Sequence, residues 1–169
     1  MDATALRALQ APLKGQYRDN PDSAVVTLKA KGALDDTHIA CKVETGRALA
    51  VAGLHPATGG SGAELCSGDM LLEALVACAG VTVKAVATAL EIPLKSGTVS
   101  AEGDLDFRGT LGVDKEAPVG FRAIRLRFDL DTDAPQEKLD QLLKLTERYC
   151  VVFQTLNHKP ELTVGASRA

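Results

Sequence analysis

The run from Met70 to Leu90 constrains this chain more than any other segment. It has the length of a membrane span, yet it contains Glu73 and Lys84, each of which would cost about 2.5 to 3.5 kcal/mol near a bilayer centre. A helix buried within protein is therefore expected. Ser67 is the candidate N-cap, Asp69 falls in the first turn where the helix dipole favours an acid, and the helix should run to about Leu90. Glu73 and Lys84 lie only about 20° apart on the helical wheel, so a single narrow stripe is polar and the remainder is apolar. Such a helix carries more apolar surface than one small sheet can cover.

The other elements are shorter. With 169 residues the chain fits one domain, 1–169. After an N-terminal extension (1–23), Ala24 to Lys31 and His38 to Glu44 read as a hairpin turning through Gly32-Ala33-Leu34-Asp35-Asp36. Thr45-Gly46-Arg47 is a second turn, Ala48 to Leu54 a short strand, and Gly59-Gly60-Ser61-Gly62 a loop, completing a segment of strands and loop over 24–66. The central helix occupies 67–90. Gly97 to Arg108 and Phe121 to Asp131 both alternate apolar and polar residues, as half-exposed strands do, and form a hairpin over 97–131 around Gly109 to Gly120. Pro135 opens a second helix (134–150), with Leu139, Leu142, Leu143, Thr146 and Cys150 on one face, and 162–164 is expected as a closing strand. This order predicts an α+β fold, antiparallel sheets packed around a long buried helix and a second helix.

Composition narrows the function. A net charge of -3 and a pI of 5.6 offer no basic stripe for nucleic acid or anionic lipid, and with no Trp, two Tyr and four Phe there are few platforms for stacking bases. Neither nucleic acid nor membrane is expected as a partner. The first residues lack the layout of a secretory or transit peptide, so a cytoplasmic location is expected. There, the four cysteines Cys41, Cys66, Cys78 and Cys150 are core filler or redox groups rather than a disulfide framework.

Taken singly, Cys78 or Cys150 reads as a small buried hydrophobe. Together they sit on the inward faces of the only two long helices expected, and two helices that cross can bring two thiols together. His38 and Cys41, three apart on a strand, face opposite sides and have no Cys-x-x-Cys partner, so no metal site is expected. His158 with Cys150 leaves a thiol hydrolase as a weaker reading, and Gly59 to Gly62 lacks the Gly-Lys-Ser/Thr of a phosphate loop.

Met70-Leu71-Leu72-Glu73-Ala74-Leu75-Val76-Ala77-Cys78 resembles the first-cysteine helix of the OsmC and Ohr family, and Glu147-Arg148-Tyr149-Cys150-Val151-Val152 is similar to its second-cysteine segment. The glycine-rich loop and the order of elements match as well, over Ala24 to Val164. The resemblance implies an intertwined homodimer with active sites at the subunit interface, and reduction of small organic hydroperoxides. Cys78 would be the peroxidatic thiol and Cys150 the resolving one, with no bound cofactor and an external dithiol, in Ohr-like relatives a lipoylated protein, as reductant. The chain departs from the family pattern at three places. The acid ten residues before the first cysteine is Gly68, with Asp69 beside it; the arginine of the first hairpin turn is missing; and the proline after the second cysteine is Val151. Arg47, oriented by Asp69, is the candidate cation for lowering the Cys78 pKa. The rival reading is a non-catalytic protein of the same fold that binds a small hydrophobic ligand at the dimer interface.

The homodimer expected from the apolar helix and from the resemblance is checked by sedimentation at micromolar concentration. A dimer is the predicted species; a lone 17.7 kDa species would contradict it.

Overall fold

The computed structural model describes residues 2–20, 31–34, 40–44, 49–112 and 114–168. Along the chain these form α1 (Ala3–Asp19), β1 (Lys31–Leu34), β2 (Ala40–Glu44), β3 (Leu49–Gly53), β4 (Leu65–Cys66), α2 (Ser67–Ala89), β5 (Ser96–Asp104), α3 (Phe107–Thr110), β6 (Ala123–Asp131), α4 (Gln136–Tyr149) and α5 (Val151–Asn157). The first four strands make one sheet in sequence order, with β4 parallel to β3, and β5 and β6 make an antiparallel pair. The architecture is α+β, as expected.

Helix α2 organises the core. Leu75, Ala79, Val83 and Ala87 recur every four residues and are its buried side chains, because positions four apart stack on one helical face. Val83 and Ala87 pack with Ile92 and with Leu142 of α4; Leu75 and Ala79 pack with Cys150. The β5–β6 pair covers the same stripe with Val99, Ala101, Ile124, Leu126 and Phe128, set opposite one another by the register Val99↔Phe128, Ala101↔Leu126 and Gly103↔Ile124. Burying a side chain such as Leu142 contributes about 1.5 to 3 kcal/mol. The rest of α2 is uncovered: Val81 is 72% exposed, and only 28% of the helix's most apolar stretch is buried. By length and composition alone α2 could cross a membrane, but its buried stripe is packed by protein.

Several boundaries differ from the sequence reading. The N-terminal extension contains α1, which meets α2 and pairs Arg7 with Glu91 at 3.0 Å across exposed surface. In the first hairpin Gly32, Ala33 and Leu34 belong to β1, with Leu34 opposite Cys41, because ladder pairing satisfies their backbone; they are not the turn. The expected strand residues 24–30, His38, Ile39 and Ala48, and Arg47 in the second turn, lie outside the described residues. Helix α2 takes Cys66 as its N-cap, since Cys66 is still extended as the last residue of β4, and Ser67 is already helical.

Strand β5 stops at Asp104 rather than Arg108. The Asp106 carboxylate accepts the Arg108 N–H at 3.2 Å and caps the single turn of α3. Just before that exit, Gly103 lies against the Phe121 ring so closely that a Cβ would come within 2.4 Å, leaving no room for a side chain. The closing strand expected at 162–164 does not form. Residues 159–168 have no regular structure, Leu162 is 73% exposed, and this alternating segment finds no strand partner among the described residues. The second helix also ends one residue early, at Tyr149, and that break shapes the site.

Candidate active site

Cys150 is not on the face of a continuous helix. It is the residue at which the chain leaves α4 and enters α5, with φ -73° and ψ 106°. The β-branched pair Val151-Val152 favours helix less than straight-chain residues do, and the break leaves orphan carbonyls on α4 and orphan N–H groups on α5. One carbonyl is satisfied by a side chain: Gln154 Nε2 donates to the Glu147 oxygen at 2.8 Å, clasping the elbow. The Cys150 N–H still bonds the Thr146 carbonyl at 2.9 Å. Cys150 itself is 1% exposed, wedged against Leu75 and Ala79.

The elbow meets α2 beside Cys78, which is half-buried on the flank of the buried stripe. Cys78 packs against the buried cluster of Leu75, Ala79 and Cys150. Burial acts to raise the Cys78 pKa, but it is outweighed by the Val152 backbone N–H, the Cys150 thiol, the Val151 N–H and the Thr82 hydroxyl, so the thiol is held below its ordinary value. Burial also acts on Cys150, and there it prevails over the Phe153 N–H, with the neighbouring Cys78 adding to the rise. One sulfur is thus disposed to be thiolate and the other to keep its proton. The sequence reading assigned this task to a cation, on the ground that a thiol halfway along a helix gains nothing from a helix N-terminus. The first-turn N–H groups of a different helix, α5, contribute to that lowering.

Of the two supporting residues expected from sequence, Asp69 is among the described residues. Arg47 lies outside the described residues. Asp69 is exposed, and nine residues before Cys78 puts it about half a turn round α2 from that thiol. It borders a different groove, of about 510 Å³, with Leu72, Glu73, Val76, Ala77 and Ala101. Gly68 has ordinary contact space for a Cβ, 3.5 Å from Leu105 and 3.6 Å from Phe121. Cys66 stands at the start of α2, twelve residues before Cys78, and does not share the site; Cys41 belongs to β2. His158 follows α5 at the surface, and among the described residues no cluster of His, Cys, Asp or Glu could hold a metal ion.

Apolar space adjoins Cys150. A cavity of about 210 Å³ is lined by Leu126, Phe128, Leu143, Thr146, Glu147, Cys150 and Phe153. Another, of about 310 Å³, opens between Leu75, Ile124, Phe153 and Leu156 with Arg122 on its wall. Small molecules with alkyl or aryl groups fit such linings better than ions do.

Comparison with known proteins gives the family and the fold. The family model described as OsmC-like protein matches residues 60–165, a span that holds both thiols. An OsmC-like protein from Mycoplasma pneumoniae superposes with a TM-score of 0.65 at 16% identity, over 79% of this chain and 89% of that one. An organic hydroperoxide resistance protein OsmC from Legionella pneumophila gives 0.61 at 17% identity, over 79% and 90%. An organic hydroperoxide resistance protein from Elizabethkingia anophelis, with thiocyanate from the crystallisation bound, gives 0.63 at 14% identity, over 80% and 91%. No curated protein matches.

The opposed shifts order the two thiols. Because only thiolate is alkylated, reactivity is lost as pH falls through each group's pKa, and the lowered group holds it to lower pH. Iodoacetamide labelling of the reduced protein, followed peptide by peptide, should show Cys78 reacting at lower pH than Cys150. Coincident profiles would contradict the arrangement.

Proposed function

This chain belongs to the OsmC-like protein family, and from that membership we propose that it is a thiol peroxidase acting on organic hydroperoxides, with Cys78 the peroxidatic and Cys150 the resolving thiol. One observation carries the reading: a partly exposed thiol held toward its thiolate form lies against a buried thiol held toward its protonated form. Family membership and neighbours named for organic hydroperoxide resistance support a redox-related role.

In the proposed reaction the Cys78 thiolate attacks the distal oxygen of R–O–OH. The O–O bond breaks, the sulfur is oxidised to sulfenic acid, and the alkoxide takes a proton, from Cys150 or from water, and departs as alcohol. The Cys150 sulfur then displaces the sulfenic oxygen, which leaves as hydroxide or water, and the disulfide forms. A dithiol reductant, of the lipoyl type in the Ohr-like relatives, attacks that disulfide, is itself oxidised to a disulfide, and returns both thiols. The apolar cavity that Cys150 lines, with a second that shares Leu126 and Phe153 with it, favours substrates with alkyl or aryl groups over hydrogen peroxide. We also propose the homodimer, in which a second copy covers the exposed apolar faces of α2.

A second reading, a non-catalytic binder of small hydrophobic ligands, draws on Gly68 standing where the family pattern has an acid and on the exposed position of Asp69. One experiment separates the two. With a dihydrolipoyl reductant present, consumption of cumene hydroperoxide should outrun that of hydrogen peroxide about tenfold or more, and Cys78→Ser should abolish it. Equal, negligible rates for the native protein and the variant would favour the binding reading.

A further inference from the structure

In an unbroken helix the Val151 N–H would bond the Glu147 carbonyl, four residues back. The chain leaves helical geometry at Cys150, where ψ is 106°, and that bond is lost. Its place is taken by a side chain from the first turn of α5: Gln154 Nε2 donates to the Glu147 carbonyl at 2.8 Å, seven residues back. The backbone bonds at the elbow leave the angle between the helices open, because the bond from the Cys150 N–H to the Thr146 carbonyl belongs to α4 and the bond from the Gln154 N–H to the Cys150 carbonyl belongs to α5. Among the described residues the Gln154 amide is the side-chain donor that crosses the break. Tyr149 and Val151, which flank Cys150, are 58% and 69% exposed, so packing holds the bend from its inner side alone.

We propose that Gln154 is a positioning residue for the thiol pair: by giving the Glu147 carbonyl the donor that the break withdraws, its amide sets the angle between α4 and α5 and so holds Cys150 where Cys78 meets it. The inference rests on the reading of Cys78 and Cys150 as a redox pair. Cys150 sits at the vertex of the bend, wedged with Leu75 and Ala79, and Cys78 packs against that cluster. Val152 and Phe153 of α5 press on the same cluster, so a wider angle would draw them and the vertex away from α2. Holding two reacting groups in the geometry they need raises their effective concentration, and a disulfide requires Cα atoms within about 7 Å of each other. In the oxidised protein the covalent bond fixes the elbow by itself; in the dithiol form the clasp does so. Losing the clasp therefore loosens the dithiol form and makes it harder to oxidise. The Val151 and Val152 N–H groups, which act to lower the Cys78 pKa, are carried on the same elbow.

A glutamine that merely capped α4 would stabilise the dithiol and disulfide forms alike and leave the equilibrium between them unmoved. The test is that equilibrium in the full-length protein, poised against mixtures of reduced and oxidised dithiothreitol and read as the fraction of Cys78–Cys150 disulfide by peptide mass mapping. Gln154→Met, similar in length but without a donor, should lower the equilibrium constant for disulfide formation about three- to tenfold, and Gln154→Lys, whose ammonium donates from a similar reach, should return it to within about twofold of the native value. A Met constant equal to or above the native one, or a Lys constant as low as that of Met, overturns the proposal, as does a native protein that forms no such disulfide at any poise. Should the Met variant fail to fold, Gln154→Glu, whose carboxylate cannot donate, takes its place under the same outcomes. The equilibrium needs no peroxide, so the two claims part company. A lowered Met constant in a protein without peroxidase turnover would sink the catalytic reading and keep this inference, whereas an unmoved constant in an active enzyme would do the reverse.

Discussion

The site depends on how closely α4 and the elbow can approach α2. The stripe that α2 turns toward them alternates a branched residue with alanine, Leu75, Ala79, Val83 and Ala87, and both alanines are essentially fully buried. Small side chains let the neighbouring backbone come near, and Cys150 fills the space against Ala79 while Leu142 packs with Val83 and Ala87. Thickening the stripe would push the elbow outward and part the thiols before it unfolded the domain. Packing and chemistry therefore share one set of residues.

The elbow gives the two sulfurs different chemistry from one backbone feature. Where the chain breaks at Cys150, the first N–H groups of α5 are left without helical partners, and those of Val151 and Val152 act to lower the Cys78 pKa. The same fold seals Cys150 at 1% exposure, where losing its proton is costly. A lone cation near both thiols would lower both. An elbow that exposes one sulfur to backbone donors and buries the other separates them, which is the division of labour that a peroxidatic and a resolving thiol require.

Much of this was legible in the sequence, for identifiable reasons. The apolar run over Met70–Leu90 and the strict alternation in Gly97–Gly103 and Ala123–Asp131 are periodic signals, and periodicity survives without knowledge of tertiary contacts. The resemblance in both cysteine segments named the pair that the fold brings together. What was missed is not periodic. The break at Cys150 lacks the proline that would have announced it, and the strand after Asp104 continues in pattern although Asp106 ends it by capping. Helix α1 did leave a signal in Asp2, whose carboxylate accepts the Ala5 N–H at 2.8 Å ahead of an Ala- and Leu-rich run, a start that the sequence reading passed over.

The central claim is that Cys78 and Cys150 of one chain form the redox pair, and peptide mass mapping after one equivalent of an organic hydroperoxide tests it most directly. A Cys78–Cys150 disulfide within a chain is the expected product, with Cys41 and Cys66 recovered as thiols. Cys66 begins α2 twelve residues before Cys78, about 18 Å of helical rise away and beyond bridging distance. A Cys66–Cys78 link, or modification spread evenly over all four cysteines, would contradict it.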